Sequence, residues 1–430
     1  MNASESQAVA HFRGHTCRDL YKAIFDAEAP EQVVRQLPVQ SLYMVIKSAG
    51  LQSSSDIILM ASLEQCRLLT DFDLWSGDAL NEDALWEWLA LTDETESLEL
   101  LQKFVKIVDL KLLAILIEKY VEVKVFDDPT EQPPGAGFHT PDKGYTWLGI
   151  KSEDADKHFL LARLLALIFE SSAELFYQLI SIMTVATNSM LEEESFQERQ
   201  KRLAVEGVPE PEAASAIHAP YSVAEAKADI EDKKERGHID DIRSIEPLIY
   251  EARVTKLFSE LVREVSGRDD LEMEFTYLMN AAVVRWGIDF CNQESVLDLA
   301  ERIKGAINIA LEKLTKGTGY SLKEIYASLG LGKLYRVGLT DLMLLRTKAR
   351  KIPLEGVGAL KDSDPAMFGA LAGAREAFPV MPMYLNDDGS LEQEHGVLPA
   401  GQRPFTSLKS IETVSGLLER AHAVVEKGAV

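Results

Sequence analysis

Cysteine is scarce in this sequence, and Cys17, Cys66 and Cys291 lie too far apart to form a C-x-x-C pair. The spacing supports neither a disulfide framework nor a thiolate zinc site, so a reducing cytoplasm is the expected compartment.

The N-terminus has no basic start followed by an apolar run, and we expect no secretory signal. The longest apolar run begins at Leu175, is interrupted by polar residues and falls short of the roughly twenty residues that a membrane span needs. We predict a buried helix there and no membrane insertion.

Basic residues are also in deficit, with 45 Lys and Arg against 69 Asp and Glu and a formal net charge of -24. Such a charge repels phosphate and argues against nucleic acid as a partner.

Catalytic signatures are missing as well, because there is no G-x-S-x-G elbow, no H-E-x-x-H helix and no dinucleotide fingerprint. GLGK at Gly330 is not a phosphate loop, since Ala327 and Leu334 replace the Gly and the Ser or Thr that the loop needs. We expect no cofactor and lean against an enzyme.

The apolar periodicity predicts a predominantly all-α fold. Residues 1–126 are expected to form a superhelical, solenoid-like domain of stacked short helices, because helices of about ten residues cannot bury a full apolar face alone. A small β-hairpin arm is expected around the linker at residues 127–155, between the strand at Val121 and the aromatic strand at Tyr145. The remaining segments are a middle helical segment at 156–223, a charged connector at 224–245, a second helical domain at 246–352 and an irregular C-terminal segment with a docking helix at 353–430.

Local signals predict several helix boundaries. Capping boxes are expected where Ser62, Ser189 and Ser321 stand three residues before Gln or Glu. Gly50 suits a helix end, and Gly330 marks a junction within the second helical domain. The docking helix is predicted from apolar residues at helical spacing, namely Leu408, Ile411, Val414, Leu418, Ala421 and Val425.

Residues 71–100 contain ten carboxylates and three of the five tryptophans, without one Lys or Arg. They do not form a calcium loop, since Trp75 and Ser76 occupy positions where that loop needs an oxygen ligand and Gly. The simplest interpretation is a solvated acidic face over core tryptophans. The alternative is a docking or cation-attracting surface, in which Trp75, Trp86 and Trp88 anchor a partner through exposed faces. Whether a metal binds there stays open.

The segment SMLEEESFQERQKRLA is the best polar constellation. One helix face carries Glu192, Phe196, Arg199 and Leu203, and Glu198 can pair with Arg202 four residues later. If Glu192 and Arg199 point into the helical bundle, they can orient an anionic or polar ligand, with Arg202 beside them. The alternative is a surface ladder of ion pairs that contributes little stability.

Five stretches, in the same order along the chain, resemble an uncharacterised bacterial family, domain of unknown function 6178. They are LPVQSLYMVIKSAG, ASLEQCRLLTDFDLWSGDAL, SMLEEESFQERQKRLAVEGVPE, KLYRVGLTDLMLLRTKA and RPFTSLKSIE. The resemblance covers most of the chain and implies a bacterial cytoplasmic protein of predominantly helical fold, with no activity to carry over. Residues 30–125 also resemble the short-helix superhelices of magnesium-transporter cytoplasmic domains and flagellar motor-switch proteins, which implies protein contacts or cation sensing.

The leading functional hypothesis is a non-enzymatic protein-interaction or scaffold protein, because stacked helices present extended surfaces. A second hypothesis is an enzyme or small-molecule-binding protein with a polar pocket between the helical blocks, near Glu192, Arg199 and Arg202. A third is a divalent-cation-responsive regulatory protein that uses residues 71–99.

Overall fold

The computed structural model describes residues 17–94, 98–130, 132–232, 256–265, 269–288, 292–353, 363–393 and 397–426. Over these residues the chain is predominantly helical, as predicted, and its sheets have only two or three strands. The chain forms two compact units, Met1–Val205 and Glu206–Val430. No helix within the described ranges is both long and apolar enough to cross a membrane.

The first unit opens with short helices separated by tight turns. They are α1 (Cys17–Asp26), α2 (Pro30–Gln36), α3 (Val39–Ala49), α4 (Ser55–Met60), α5 (Leu63–Asp73), α6 (Glu82–Glu94), α7 (Leu98–Ile107) and α8 (Leu110–Tyr120). A two-residue hairpin, β1 (Trp75–Ser76) with β2 (Ala79–Leu80), joins α5 to α6. The sequence signals confirmed here are the Ser62 capping box and the helix end at Gly50, whose φ is 92°.

These helices stack on one another rather than around a single long helix. α1 packs on α3, α2 on α4, α3 on α5 and α5 on α7. None is longer than 13 residues, so each has too few apolar side chains to be stable alone and depends on its neighbours. The stacking that the apolar periodicity predicts is therefore present in this part of the chain.

A small antiparallel sheet follows α8, as the alternating side chains predict. Strand β3 (Val121–Val125) pairs with β5 (Thr146–Ile150), with Val121 opposite Ile150, and the short β4 (Phe138–His139) lies on the other side of β5. Gly149 in β5 faces the Phe138 ring, and a Cβ at this glycine would lie 2.8 Å from the ring. The predicted hairpin is confirmed.

Three longer helices complete the first unit: α9 (Ala155–Ser171), α10 (Ala173–Val185) and α11 (Asn188–Val205). The capping box predicted at Ser189 is wrong, because α11 already begins at Asn188 and places Ser189 in its first turn. The apolar run from Leu175 forms α10, but only Phe176, Leu179 and Ile180 are fully buried in it. The prediction of a buried helix therefore holds for one face only.

The second unit is built around two long helices. Its helices are α12 (Pro211–Ile217), α13 (Val223–Glu231), α14 (Lys256–Val265), α15 (Asp269–Trp286), α16 (Gln293–Thr315), α17 (Leu322–Lys351), α18 (Pro365–Arg375) and α19 (Leu408–Glu426). A two-residue pair, β6 (Met381–Pro382) with β7 (Gln402–Arg403), lies between α18 and α19. α16 and α17 pack along each other, and the other helices surround them.

The junction predicted at Gly330 divides α17. Gly330 has a φ of 63° and a ψ of 177°, so the helix restarts at Leu331. The buried carboxylate of Glu274, from α15, accepts the Leu331 N–H at 2.5 Å and occupies the new helix N-terminus. The GLGK stretch thus presents its helix end to a carboxylate of the protein, not to a phosphate.

Two segments of the second unit differ in detail from expectation. The charged connector predicted at 224–245 begins as α13, whose Asp229 and Ile230 are buried, and its residues 233–245 lie outside the described residues. The segment predicted to be irregular at 353–430 contains α18 as well as the expected docking helix, α19. In α19 the predicted stripe is buried at Val414, Leu418 and Ala421.

Candidate functional site

The polar face predicted on α11 lies against the end of α5. Arg202 donates to Asp71 through both Nε and Nη2, at 2.7 and 2.8 Å, which makes a two-pronged ion pair. Burial raises the pKa of Asp71, against the opposing effect of the Arg202 guanidinium. Because each partner satisfies the other, this pair joins α5 to α11; we call Asp71, Arg199 and Arg202 the Asp71 joint.

Arg199 also points inward, which is one of the two alternatives that the one-face pattern left open. Its Nε donates to the backbone carbonyl of Asp71 at 2.6 Å. The guanidinium lies 5.6 Å from the centre of the Trp75 ring and 5.7 Å from that of Phe196, and the two rings are 5.4 Å apart. Burial lowers the pKa of Arg199 to about 10. The side chain is held by a carbonyl and by aromatic faces that belong to the protein.

Glu192 and Glu198 also have partners within the first unit. Glu192 accepts the backbone N–H of Leu80, from the β1–β2 hairpin, at 2.7 Å. The Glu198–Arg202 pair expected from spacing gives way to other contacts, since Glu198 pairs with Lys111 at 2.7 Å and Arg202 binds Asp71. The polar face of α11 is therefore an internal contact.

The three tryptophans proposed as docking anchors are buried. Trp75, Trp86 and Trp88 are only 8%, 7% and 3% exposed. Trp88 Nε1 donates to the buried Asp73 carboxylate at 2.7 Å, and Trp86 Nε1 donates to Glu82 at 3.3 Å. The three tryptophans therefore pack in the core of the first unit and present no exposed aromatic face to a partner.

Space for a ligand at the Asp71 joint is small. A cavity of about 10 Å³ lies beside Asp71, Asp109, Ser195 and Arg202, which is enough for one water molecule. The carboxylates of Asp71 and Asp73 already face Arg, Lys, Tyr and Trp donors. In the described part of the chain, no group of three or more His, Cys, Asp or Glu side chains is placed to hold a metal ion.

A different polar cluster lies in the second unit, at the end of α12 and along α15 and α17. We call it the arginine–aromatic cluster. Its aromatic part is His218, Trp286 and Tyr335, its arginine part is Arg346 and Arg350, and the charge of Arg285 acts on both parts. The His218 ring meets the rings of Trp286 and Tyr335 edge-on, with centroids 5.7 and 5.3 Å apart. Trp286 also contacts Phe378, at 5.4 Å. Tyr335 is fully buried beneath this group.

Three buried polar atoms in this part of the second unit have no hydrogen-bond partner among the described residues. They are His218 Nε2, Arg346 Nε and Arg375 Nη1 at the end of α18. Burial raises the pKa of Tyr335 and a hydrogen bond from Trp286 acts to lower it, so the Trp286 indole faces the Tyr335 hydroxyl. Buried polar groups are almost always hydrogen-bonded, and each that is not costs about 1–3 kcal/mol. The unpaired Arg346 Nε is therefore a donor that can bind a ligand.

The electrostatics of the cluster are unusual for an acidic protein. Burial lowers the pKa of Arg346, and the positive charges of Arg350 and Arg285 lower it further, with Glu376 acting in the opposite direction. Arg346 and Arg350 stand four residues apart on α17, a spacing at which like charges repel. Burial raises the pKa of Tyr335 and lowers that of His218, and the positive charge of Arg285 acts to lower both. The positive charges of Arg285, Arg346 and Arg350 thus lie close enough to repel one another.

The comparisons with known proteins agree with the resemblance seen in the sequence. The model of a family described as "Family of unknown function (DUF6178)" matches residues 4–426. The chain belongs to this family. No curated protein and no solved structure matches this DUF6178 member.

Sequence reasoning missed the arginine–aromatic cluster of this DUF6178 member, although one signal was available. Arg346 and Arg350 repeat a positive charge at i,i+4 without an acidic residue at the intervening helical neighbours, in a chain with a net charge of -24. The rest of the cluster comes from helices distant in sequence, so no local pattern joins His218 and Trp286 to them.

Proposed function

We propose that this DUF6178 member is a non-enzymatic binding protein for a small anion, which the arginine–aromatic cluster holds. The observation that carries the proposal is the unpaired Nε of Arg346, on which the positive charges of Arg350 and Arg285 both act. An anion supplies several acceptor oxygens at one point and neutralises the positive charges around it. Guanidinium groups suit this task because their planar fork of donors matches carboxylate and phosphate oxygens.

The two arginine groups differ in whether their guanidinium N–H donors have acceptors among the described residues. At the Asp71 joint, Arg202 has a carboxylate and Arg199 a carbonyl as acceptor. At the arginine–aromatic cluster, Arg346 Nε has no acceptor. A small-molecule site is therefore better supported at the second group than at the residues that the sequence suggested. The high net negative charge does not oppose this, because nearby charges dominate over distant, screened ones.

Replacing Arg346 with methionine tests the proposal. We expect the variant to be more stable than wild type in anion-free buffer, by about 1 kcal/mol, because it removes an unsatisfied donor and a repulsive charge. We also expect its affinity for inorganic phosphate and sulfate to fall by about tenfold or more. The measurements are thermal unfolding with and without each anion, since a ligand of the folded state raises the melting temperature, and isothermal titration calorimetry.

Arg336→Met is the matched control on the same helix. Arg336 Nε and Nη2 donate to the carbonyls of Ala219 and Pro220, at 2.7 and 3.1 Å. These two donors of Arg336 therefore already have acceptors within the protein. This variant should be less stable than wild type and should bind the anions unchanged. If neither anion binds wild type, or if Arg346→Met binds them as well as wild type does, the proposal is contradicted.

A protein-interaction role is the second candidate, and the outer face of α10 favours it. Val185 is 83% exposed, Tyr177 is exposed, and residues 175–190 carry no charged side chain in a chain of which 27% is charged. An uncharged surface with exposed apolar residues is typical of a contact with another protein. This face replaces the buried tryptophans as the support for the scaffold hypothesis.

A photo-crosslinking residue placed at Thr184, which is exposed on α10, tests the second candidate. We expect a discrete crosslinked species in cells of the native host, because a real interface places one partner against this face. The control is the same residue at Lys201, an exposed charged position on α11. Identical species from both positions, or none from Thr184, would rule out α10 as the contact.

A further inference from the structure

The cavity at the Asp71 joint brings two unpaired polar atoms to one place. It has a volume of about 10 Å³ and is lined by side chains of α5, α8 and α11, among them Ser195 and Arg202, and by Asp109, the residue before α8. Ser195 is 1% exposed, and its Oγ has no hydrogen-bond partner among the described residues. The Oδ2 of Asp109 is likewise buried and unpaired. Both unpaired atoms therefore belong to residues that line the same cavity.

The local structure shows what each of the two side chains can still bind. Asp109 caps the N-terminus of α8, and its Oδ1 accepts the backbone N–H of Lys111 at 2.9 Å, which uses only one of the two carboxylate oxygens. A serine inside a helix can bond to a carbonyl of the preceding turn, but the Ser195 hydroxyl makes no such bond. An ionised carboxylate only accepts, whereas a hydroxyl both donates and accepts. A molecule in the cavity must therefore donate to Asp109 and can accept from Ser195.

We infer that one water molecule binds in this cavity, donates a hydrogen bond to Asp109 Oδ2 and accepts one from the Ser195 hydroxyl. A cavity of this volume holds a single water, and a buried water needs about two to four polar partners. The water thereby joins the start of α8 to the middle of α11, two helices that pack on each other. The inference concerns the first unit and is independent of the proposed anion site in the second.

A metal cation does not fit the same place. Arg202 lines the cavity, and its positive charge repels a cation. The guanidinium is also within electrostatic reach of Asp109: the hydrogen bond to Asp71 raises the pKa of Arg202, burial opposes the rise, and the charge of Asp109 adds to it. Calcium and magnesium ions take about six or more oxygen ligands, whereas Asp109 and Ser195 contribute two unpaired oxygens. A neutral donor of the size of water suits the cavity better.

Replacing Ser195 with alanine separates a bridging water from an unpaired hydroxyl by the sign of the effect. Removal of a hydroxyl without a partner would raise stability, because it relieves an unpaired buried group and alanine has the higher helix propensity. Removal of a hydroxyl that bonds to a buried water loses that bond, and we expect the equilibrium constant for unfolding of the first unit to rise about fivefold. Urea denaturation of the full-length protein followed by tryptophan fluorescence measures this, since Trp75 lines the same cavity.

Ser181→Ala is the matched control, because Ser181 is exposed in the interior of α10. Its equilibrium constant for unfolding should stay unchanged or fall by up to about twofold, as helix propensity alone requires. If Ser195→Ala is as stable as wild type, or more stable, the inference is overturned.

A crystal structure of the wild-type protein that resolves ordered water tests the inference directly. We expect one water oxygen within about 2.5–3.0 Å of both Asp109 Oδ2 and Ser195 Oγ. A direct hydrogen bond between these two side chains, or a cavity without water, would overturn the inference even if Ser195→Ala is destabilised. None of these outcomes bears on anion binding by the second unit, so the two proposals fail separately.

Discussion

Replacing Asp71 with alanine is expected to lower the free energy of unfolding of the first unit by about 3 kcal/mol. The change leaves Arg202 without its carboxylate and removes the link between α5 and α11. We expect the lower end of the range for breaking a buried pair, because the Arg202 side chain is 29% exposed and can be rehydrated, whereas Asp71 is 6% exposed. Urea denaturation followed by tryptophan fluorescence measures this, since Trp75 lies against Arg199 in the same joint.

Two comparisons isolate the buried pair. Glu198→Ala removes an exposed partner of Lys111 on the same helix and should cost no more than about 1 kcal/mol, as surface ion pairs do. The double variant Asp71→Leu with Arg202→Met replaces both charges with apolar groups and should lose less stability than Asp71→Ala. If Asp71→Ala and Glu198→Ala are equally mild, the joint does not hold the two helices together.

Replacing Gly338 with alanine should destabilise the second unit by about 3 kcal/mol. Gly338 lies where α17 meets α16 so closely that a Cβ would fall 1.9 Å from the carbonyl oxygen of Ala306. The obstacle is backbone in a helix, which cannot turn away as a side chain can, so the two long helices would have to separate. Chemical denaturation followed by circular dichroism measures the loss.

Gly332→Ala provides the control within the same helix. A Cβ there would meet nothing within 4 Å, so this variant should gain up to about 1 kcal/mol from the higher helix propensity of alanine. The two substitutions are chemically identical and should have effects of opposite sign. Similar effects from both would show that α16 and α17 tolerate a wider separation than the structure gives them.

The Asp71 joint shows how much of a site the sequence of α11 can predict. The one-face pattern put Glu192 and Arg199 on the same side of the helix, because helical spacing depends only on residues within a few positions. It left open whether that side points into the bundle or forms a surface ladder of ion pairs. It could not identify their acceptors. Arg199 meets Asp71 across 128 residues of chain, and Glu192 meets Leu80 across 112. The same pattern therefore grouped these side chains on one helix face but could not show what that face contacts.

The arginine–aromatic cluster is a site that sequence reasoning did not find at all. Trp286 and Tyr335 look like ordinary core residues in their own helices, and His218 looks like a residue beyond a helix end. The three rings meet only because segments distant in sequence pack together, and such a contact leaves no trace in a linear pattern. Only the assembled second unit shows that these side chains lie together.

The sequence by itself determined the family, the helical class, the strand pair at Val121 and Thr146 and the caps at Ser62 and Ser321, because those features depend on neighbouring residues or on an ordered set of motifs. The tertiary structure alone decided which tryptophans are covered, which arginines find carboxylates and which do not. The physical reason is that burial and hydrogen-bond partnership are properties of segments brought together from distant parts of the chain, and the free energy of a polar group depends on both.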